Sequence, residues 1–362
     1  MSGRGFTLVE LLVASLIVLA VGGVAAAVVR PTMAIVAAAP ASGELTARGR
    51  VALERLARDL RGAGAGAVLA GPAPLAAPPV VPIVEGGEVA GVILIRVPWG
   101  APSGRLAEPV SRAGPLVLDG PPRCSGPDLS CGFAAGDEVL VADGTTAIAL
   151  AGIASVQVPP LRLVPAAGLG SSFDAGAWVA RIERVTYRLE RAGGAFQLTR
   201  AADDGAPQPI ADEVVSLRFR LAGDAAPSTL DVTRRRATYG PPPPPPGVDD
   251  PRDGWGAGEN CLFAVDGAGH QAPRLASLGP AGTLAVLEPA MLADGPWCPD
   301  AVHPDAFDAD LLRIRRVDVV LRLRAGEPGL RLPGSGAGGG ARPAWVPDLE
   351  MRLAVALRAA AR

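Results

Sequence analysis

The pattern of apolar positions divides the chain into an N-terminal helix and a long body. Residues from Phe6 to Val29 form a 24-residue run in which Glu10 is the only charged residue. A helix of this length is about 36 Å long, which is enough to cross a hydrocarbon core of about 30 Å. The run therefore predicts a membrane-spanning helix over residues 6–29.

A second helical pattern follows this run. Pro31 and Pro40 are expected to end or kink the first helix, because proline lacks a backbone N–H and clashes with the preceding turn. Helix is predicted to resume at about Glu44 and to end at Gly62 or Gly64. In this stretch an apolar stripe has the spacing i, i+3, i+4 and i+7 and comprises Leu53, Leu56, Ala57 and Leu60. We expect the stripe to pack on the sheet of the body.

Beyond the helix, apolar and polar residues alternate with a period of two in seven segments, which predicts β-strands. The segments are residues 92–97, 139–141, 147–158, 182–189, 215–221, 317–323 and 349–357. Asp143-Gly144 and Gly193-Gly194 are predicted hairpin turns. The predicted fold class is therefore α+β, with a long N-terminal transmembrane and amphipathic helix packed on an antiparallel β-sheet body that has long Gly/Pro-rich loops.

Glycine- and proline-rich segments interrupt the strand pattern at residues 62–82, 240–258 and 333–347. The six consecutive prolines of residues 241–246 predict a stiff polyproline II spacer in a surface loop, and a ligand for a proline-reading domain is the alternative. Residues 30–64 are predicted to continue the N-terminal helix. The β-rich body is predicted to cover residues 65–362, with an insertion at about 222–310.

Charge and composition narrow the function classes. The chain has 34 basic residues, 36 acidic residues and a formal net charge of -2, so nucleic acid is not an expected partner. Hydrophobic residues make up 49% of the chain, and the apolar run explains the high mean hydropathy of +0.30. The sequence has no G-x-S-x-G or Walker motif, and neither histidine lies in a triad context. We therefore predict no enzymatic activity and no cofactor.

Four cysteines lie in the part of the chain that would be exported, where disulfides form and persist. Their number permits three pairings. We favour a bond from Cys124 to Cys131, which closes the loop of residues 125–130, and a bond from Cys261 to Cys298, which closes the long insertion.

Metal ligands are present but lack a recognised order. His270 and His303 lie close in sequence to Cys261 and Cys298, but the spacing matches no zinc pattern. Two acidic loops could hold calcium, although neither has the EF-hand order. Their carboxylates are Asp249, Asp250, Asp253 and Glu259 in the first loop, and Asp300, Asp305, Asp308 and Asp310 in the second. No metal site is predicted, and calcium remains an alternative.

The N-terminal residues carry a family resemblance. Gly5-Phe6-Thr7-Leu8-Val9-Glu10, followed by more apolar residues, resembles the prepilin processing site of type IV pilins and of type II secretion pseudopilins. The resemblance implies that residues 1–5 are a leader, which prepilin peptidase removes between Gly5 and Phe6, and that Phe6 is then N-methylated. A conventional signal peptide is the alternative. Its apolar region is usually shorter, about 7–15 residues, and a carboxylate so early in it would be unusual.

The physical chemistry of Glu10 is consistent with this resemblance. A carboxylate at hydrocarbon depth costs on the order of 2.5–3.5 kcal/mol, so Glu10 should have a partner. After leader removal the amine of Phe6 is a cation, and methylation keeps its charge. In a bundle of staggered parallel subunits, Glu10 of one chain can pair with the Phe6 amine of its neighbour. The local alternative is that the helix dipole stabilises Glu10 in the first turn of its own helix, and both can hold.

The chain resembles PilW-type minor pilins in particular. This resemblance lies in residues 50–61, in residues 210–221 and in the last predicted strand. The resemblance implies a minor pilin of a type IV pilus that primes or caps the filament. The implied partners are prepilin peptidase, other major and minor pilins or pseudopilins, and the inner membrane. The implied location is a single-pass inner-membrane protein with a cytoplasmic N-terminus and a periplasmic body, which reaches the pilus and cell surface after assembly.

Three other functions remain open from the sequence. A J-type pseudopilin of type II secretion shares the same helix chemistry. A tip adhesin could use residues 240–298 as a binding module. An enzyme anchored by an ordinary membrane helix is the third alternative.

Overall fold

The structure of the protein is a computed structural model. The described residues are 8–65, 78–119, 129–143, 148–169, 172–203, 205–227, 243–249, 255–298, 306–325 and 346–357, without the side chains of 26–38 and 148. The predicted processing residues Gly5 and Phe6, Cys124, and the second residue of the Asp143-Gly144 turn lie outside this part of the chain.

The N-terminal helix α1 spans Leu8–Gly62, a single element of 55 residues. It continues through Pro31 and Pro40, so the predicted end of the first helix and its restart near Glu44 are wrong. Proline at an interior position removes one backbone hydrogen bond and can bend a helix, while the turns on either side stay paired. At 1.5 Å per residue, α1 is about 80 Å long. Its end at Gly62 is one of the two predicted ends.

Eighteen strands follow α1 in the described residues. They are β1 (Val80–Glu85), β2 (Glu88–Arg96), β3 (Ser103–Arg105), β4 (Leu116–Val117), β5 (Glu138–Ala142), β6 (Ile148–Gln157), β7 (Arg162–Pro165), β8 (Trp178–Arg181), β9 (Glu183–Ala192), β10 (Ala195–Ala202), β11 (Gln208–Asp224), β12 (Phe263–Val265), β13 (Gln271–Pro273), β14 (Leu284–Leu287), β15 (Trp297–Cys298), β16 (Phe307–Asp308), β17 (Ile314–Leu323) and β18 (Leu349–Ala356). Each of the seven segments with alternating residues overlaps one of these strands.

The larger sheet has the strand order β1-β2-β9-β10-β11-β17-β18, with β14 paired to β11. Every pair in it is antiparallel. Strands that are neighbours in the sheet follow one another along the chain, except where β3–β8 and β12–β16 intervene. The sheet is therefore a meander with two insertions. The coarse prediction, an N-terminal apolar helix with a large antiparallel sheet body, is confirmed.

Local turn and strand chemistry agree with the predicted pattern. Gly193 and Gly194 connect β9 to β10 with φ angles of 57° and 89°, a left-handed conformation that glycine adopts without a Cβ clash. β5 and β6 also pair as a hairpin across the predicted turn that begins at Asp143. In β18 the odd-numbered residues are more buried than the even-numbered ones, as predicted, and Val355 is fully buried.

The apolar stripe of α1 packs on the larger sheet. Its four predicted residues are buried, and Leu56 and Leu60 are completely inaccessible to solvent. They share one core with side chains of the sheet, including Val92, Leu198 and Leu321. The C-terminal half of α1 is therefore part of the body, and its packing rather than its intrinsic propensity stabilises it.

The residues between β2 and β9 form a small β-barrel, which the sequence analysis did not predict. Its strand order is β3-β8-β5-β6-β7-β4. A bridge between Leu106 and Leu118 joins the two end strands, and the N–H of Ala107 donates to the carbonyl of Val117 at 2.8 Å. The six strands thereby close on themselves around an apolar interior that includes Phe133.

The predicted insertion lies between β11 and β17. Its described part has a small core of its own, which comprises Cys261, Leu262, Phe263, Leu275, Cys298, Ala309 and Leu312. Arg313, only 1% exposed, anchors it to the end of β11. The guanidinium group donates to the carbonyls of Asp224, Ala225 and Ala276 at 2.9, 3.0 and 3.1 Å. A buried arginine needs this many acceptors, because unpaired N–H groups are costly away from water.

Candidate functional site

The first half of α1 is the most exposed apolar surface of the described residues. The window Leu8–Ala25 is long and apolar enough to span a membrane, and none of it is buried inside the protein. Leu8 and Leu19 are each 76% exposed. The hydroxyl of Ser15 donates to the carbonyl of Leu11 at 2.7 Å, which satisfies the polar group inside the helix. A helix that is apolar on all sides requires lipid or other helices around it.

Glu10 lies in the first turn of α1 and is exposed. At this position the partial positive charge of the helix N-terminus favours a carboxylate, so the local alternative described above is physically available. Gly5 and Phe6, the other two residues predicted to act in processing and assembly, lie outside the described residues. Pairing of Glu10 with the amine of a neighbouring chain stays a prediction.

The second half of α1 is fixed to the sheet by a buried ionic cluster, which we call the Asp59 cluster: Asp59, Arg96, Glu183, Tyr187 and Arg200. Asp59 is 3% exposed and accepts hydrogen bonds from the Tyr187 hydroxyl at 2.6 Å, Arg200 Nε at 2.8 Å and Arg96 Nη1 at 3.0 Å. Glu183 pairs with Arg96 at 2.6 Å. Within the cluster two carboxylates therefore face two guanidinium groups; Asp59 and Arg200 are buried, and Arg96 and Glu183 are partly exposed.

The pKa shifts show how the Asp59 cluster is charged. Burial alone would raise the pKa of Asp59, but the hydrogen bonds from Tyr187 and Arg200 and the charges of Arg200 and Arg96 lower it below its usual value. Burial and the Asp59 carboxylate raise the pKa of Tyr187, which keeps this phenol neutral. A carboxylate held ionised by two guanidinium groups is a poor general acid or base at neutral pH. The cluster therefore positions α1 on the sheet.

Sequence reasoning missed the Asp59 cluster, although one signal was present. Asp59 lies three residues after Leu56, so it falls on the apolar stripe rather than on the charged face of the helix. A carboxylate at a stripe position must be buried with the stripe, and a buried carboxylate needs a cationic partner. The identity of that partner depends on strand register, which the sequence pattern does not provide.

The same region of β9 also contacts the barrel. Arg184, next to Glu183, forms a two-bond ion pair with Glu138 of β5. The N–H of Ile182 donates to the carbonyl of Glu138 at 2.9 Å. Ile182 also shares a small apolar cluster with Ile95 and Leu140, which belong to the larger sheet and the barrel. The barrel is thus joined to the sheet by ionic, backbone and apolar contacts.

A disulfide joins Cys261 to Cys298 in the core of the insertion, which is the pairing favoured from the sequence. The two residues are 37 positions apart, and their Cα atoms are separated by 5.2 Å. Cys131 is also disulfide-bonded, and Cys124, its expected partner, lies outside the described residues.

Three carboxylates of the insertion, those of Asp294, Asp308 and Asp310, lie within 4.8 Å of one another. Two of them belong to the second predicted acidic loop, while its residues Asp300 and Asp305 lie outside the described residues. Hydrogen bonds within the protein already hold the group, because Asp308 accepts from the N–H of Gly295 at 2.5 Å and from that of Asp310 at 2.8 Å.

These carboxylates are electrostatically unequal. Asp310 pairs with the guanidinium group of Arg313 at 2.7 Å. Burial and, to a smaller extent, the charges of Asp310 and Asp294 raise the pKa of Asp308, while its two hydrogen bonds lower it, and the net result is a pKa of about 6. The charged form of Asp308 is therefore disfavoured in the folded protein.

Comparison with known proteins finds no matching family model, no matching curated protein and no matching solved structure. The class of the protein is therefore defined by its own architecture. It has one N-terminal apolar helix, long enough to span a membrane, joined without a break to an antiparallel β-sheet body.

Proposed function

We propose that this protein is a minor pilin of a type IV pilus, similar to PilW-type subunits, which primes or caps the filament. The observation that supports this most is the continuity of α1. One unbroken helix carries both the exposed apolar segment Leu8–Ala25 and, further along, the stripe that packs on the sheet. Such a subunit can bundle with the same helices of other subunits while its folded body stays outside the bundle.

Processing and assembly would use three residues. Prepilin peptidase cleaves between Gly5 and Phe6, the new amine of Phe6 is methylated, and Glu10 of one chain pairs with the amine of its neighbour. The exposed position of Glu10 in the first turn leaves it accessible to another chain. Pairing with a cation offsets the cost of a carboxylate in lipid, so burial of Glu10 becomes favourable on assembly.

Mass spectrometry of the N-terminus and a filament-incorporation assay test this proposal. We expect a mature chain that begins with methylated Phe6. We expect Glu10→Ala to be inserted and trimmed normally but to enter filaments poorly. Ser15→Ala is a matched control, because Ser15 is exposed on the same segment of α1 and, among the described residues, its hydroxyl bonds to its own helix. A mature chain beginning at Met1 or Ser2, or normal incorporation of Glu10→Ala, would contradict the proposal.

The same helix chemistry would serve a J-type pseudopilin of type II secretion. The long body, with a barrel and a second insertion between its sheet strands, favours the pilus. Deleting the gene distinguishes the two systems. Loss of pili with normal protein secretion supports the pilus, and loss of secretion with normal pili supports the pseudopilin.

A tip adhesin is a second candidate, favoured by the insertion between β11 and β17. This insertion has its own apolar core, closed by the disulfide from Cys261 to Cys298. The double variant Cys261→Ser, Cys298→Ser loosens the insertion without touching α1. Loss of surface attachment with filaments intact would support adhesion, whereas loss of the filaments would support priming.

A further inference from the structure

A groove of about 600 Å³ lies between α1 and β18, and we call it the α1–β18 groove. It is lined by residues of α1 from Arg50 to Gly62, by Ala65, and by Met351 and Leu353 of β18. β18 is the last strand of the larger sheet, and β17 is its only strand partner within the described residues. The groove therefore lies beside the helix at an edge of the sheet. Its volume is within the range of ligand sites, about 300–1,000 Å³.

The accessible apolar surface of the groove comes from β18. Met351 and Leu353 are only partly buried. Their partners across the ladder, Leu321 and Val319 of β17, are completely buried. The apolar layer of the sheet therefore reaches solvent at β18, next to α1. An apolar side chain of a partner placed there would be removed from water together with this surface.

The helix wall of the groove is cationic. Arg50, Arg58 and Arg61 line it, are exposed and, within the described residues, form no ion pair. Glu54 is the only carboxylate among the described residues that line the groove, and it is paired with none of these arginines. Three cations thus face one anion. Arg58 and Arg61 are one helical turn apart, so their like charges repel each other.

Other arginines on the same half of α1 have carboxylate partners. Arg48 lies 3.7 Å from Glu44, and Arg55 lies 3.8 Å from Asp59. The arginines of the groove differ from these neighbours in having no carboxylate within ion-pair distance among the described residues. Their charge is therefore available to an acidic partner.

A lipid surface does not supply the anionic groups. Arg50 lies about 38 Å along α1 from Ala25, where the apolar window ends. Salt screens exposed charges beyond about 10 Å, so the groove does not reach the lipid headgroups electrostatically. A small inorganic anion would leave the apolar surface of β18 uncovered. An acidic polypeptide that also carries apolar side chains fits both parts of the groove.

We propose that the α1–β18 groove binds an acidic segment of a partner polypeptide. Carboxylates of the segment pair with Arg50, Arg58 and Arg61. Its apolar side chains cover Met351 and Leu353. Arg50 and Arg61 are about 17 Å apart along the helix, a distance that about five extended residues span. The groove lies on the body half of α1, so the proposal goes beyond the role of the apolar window in assembly and does not depend on it.

Peptide binding to the full-length protein in nonionic detergent micelles tests the proposal. The probe is a capped, fluorescein-labelled six-residue peptide of alternating glutamate and valine, read by fluorescence anisotropy against protein-free micelles. We expect saturable binding that weakens as salt is raised, because exposed charge pairs are screened. The same peptide with lysine in place of glutamate should not bind. A peptide with serine in place of valine should bind about tenfold more weakly, because burial of even two methyl groups contributes that much.

Variants of the helix wall locate the site. Arg50→Gln with Arg58→Gln should weaken binding roughly fivefold, as expected for two exposed ion pairs. Arg61 is left in place because it lies in the last turn of α1, where the helix dipole favours a cation. Glu54→Gln should strengthen binding about twofold, since it removes the one carboxylate of the groove.

The matched control is Arg322→Gln with Arg352→Gln, which removes the same charge from the other face of the sheet. Arg352 lies between Met351 and Leu353 on β18, and successive side chains of a strand point to opposite faces. Arg322 is opposite Glu350 in the ladder, so it shares the face of Arg352. This variant should leave binding unchanged.

Several results would overturn the proposal. They are no binding of the glutamate–valine peptide, equal binding of the lysine or the serine peptide, equal weakening by the control variant, and weaker binding to Glu54→Gln. Circular dichroism of each variant checks that the fold is retained. Arg50, Glu54 and Arg58 are exposed, so we expect their substitutions to leave it intact.

Discussion

Replacing Asp59 by asparagine keeps the shape of this side chain but removes the charge that Arg96, Arg200 and Tyr187 surround. Each hydrogen bond to a charged group contributes roughly 1.5–3 kcal/mol, and three bonds in one cluster are not additive. Removing one partner of a buried ion pair typically costs about 3–5 kcal/mol. Glu183 still pairs with Arg96 in the variant, so we expect the lower end. The free energy of unfolding should fall by about 3 kcal/mol.

Denaturant titration of the full-length protein in micelles, followed by tryptophan fluorescence, measures this loss. Arg55→Gln is the control, because Arg55 lies 3.8 Å from Asp59 but is 46% exposed. It should cost less than about 1 kcal/mol. A loss below about 1 kcal/mol for Asp59→Asn, or equal losses for the two variants, would show that the cluster does not fix α1 to the sheet.

The pH dependence gives an independent check on Asp59. Its pKa in the folded protein is lowered from 3.8, so the ionised carboxylate stabilises the fold above about pH 3.8. This contribution is lost as the pH falls through the folded pKa. The difference in stability between the wild type and Asp59→Asn should therefore shrink below about pH 3.8. A constant difference across this range would contradict the assigned charge state.

Three further predictions concern the insertion and its junction with the sheet. Asp308 has a folded pKa of about 6, above its usual 3.8, so it favours folding at low pH and this effect is lost as the pH rises through 6. The melting temperature should fall between about pH 4 and 6, and by less in Asp308→Asn. Cys261→Ser should destabilise the insertion by about 4 kcal/mol, from the loss of loop closure, and limited proteolysis should cut it faster. Gly223→Ala should cost about 2 kcal/mol in a denaturant titration, because the new Cβ would lie 2.4 Å from the carbonyl oxygen of Arg313. Gly152→Ala, with no atom within 4 Å of its Cβ, should be nearly neutral.

The sequence was sufficient to predict those helices and strands in which the spacing of apolar residues matches the face that packs on the core. The stripe of Leu53, Leu56, Ala57 and Leu60 is buried, and the odd-numbered positions of β18 are the more buried ones. In both cases one face of the element meets the core, so the pattern of apolar residues records the contact directly. The hairpin at Gly193-Gly194 was predictable for a similar reason, since its turn requires left-handed residues.

Other features depend on contacts that the pattern does not record. Pro31 and Pro40 suggested a break, but a helix tolerates the loss of single hydrogen bonds when its other turns are paired. The closure of the barrel depends on the pairing of Leu106 with Leu118, which belong to very short paired segments. Short strands of this kind have too few residues to show alternation. The partners of Asp59 lie on β2, β9 and β10, so the cluster exists only after the sheet has formed.

The two contacts of β9 explain how the barrel can keep a fixed direction relative to α1. Glu183 and Arg184 are adjacent on this strand, and successive side chains of a strand point to opposite faces. Glu183 joins the Asp59 cluster and thereby α1, whereas Arg184 pairs with Glu138 of the barrel. The helix and the barrel are therefore attached to opposite faces of one strand, with no flexible linker between the two attachments. Whatever α1 binds through its apolar half, the orientation of the barrel is set by the same strand that holds the helix.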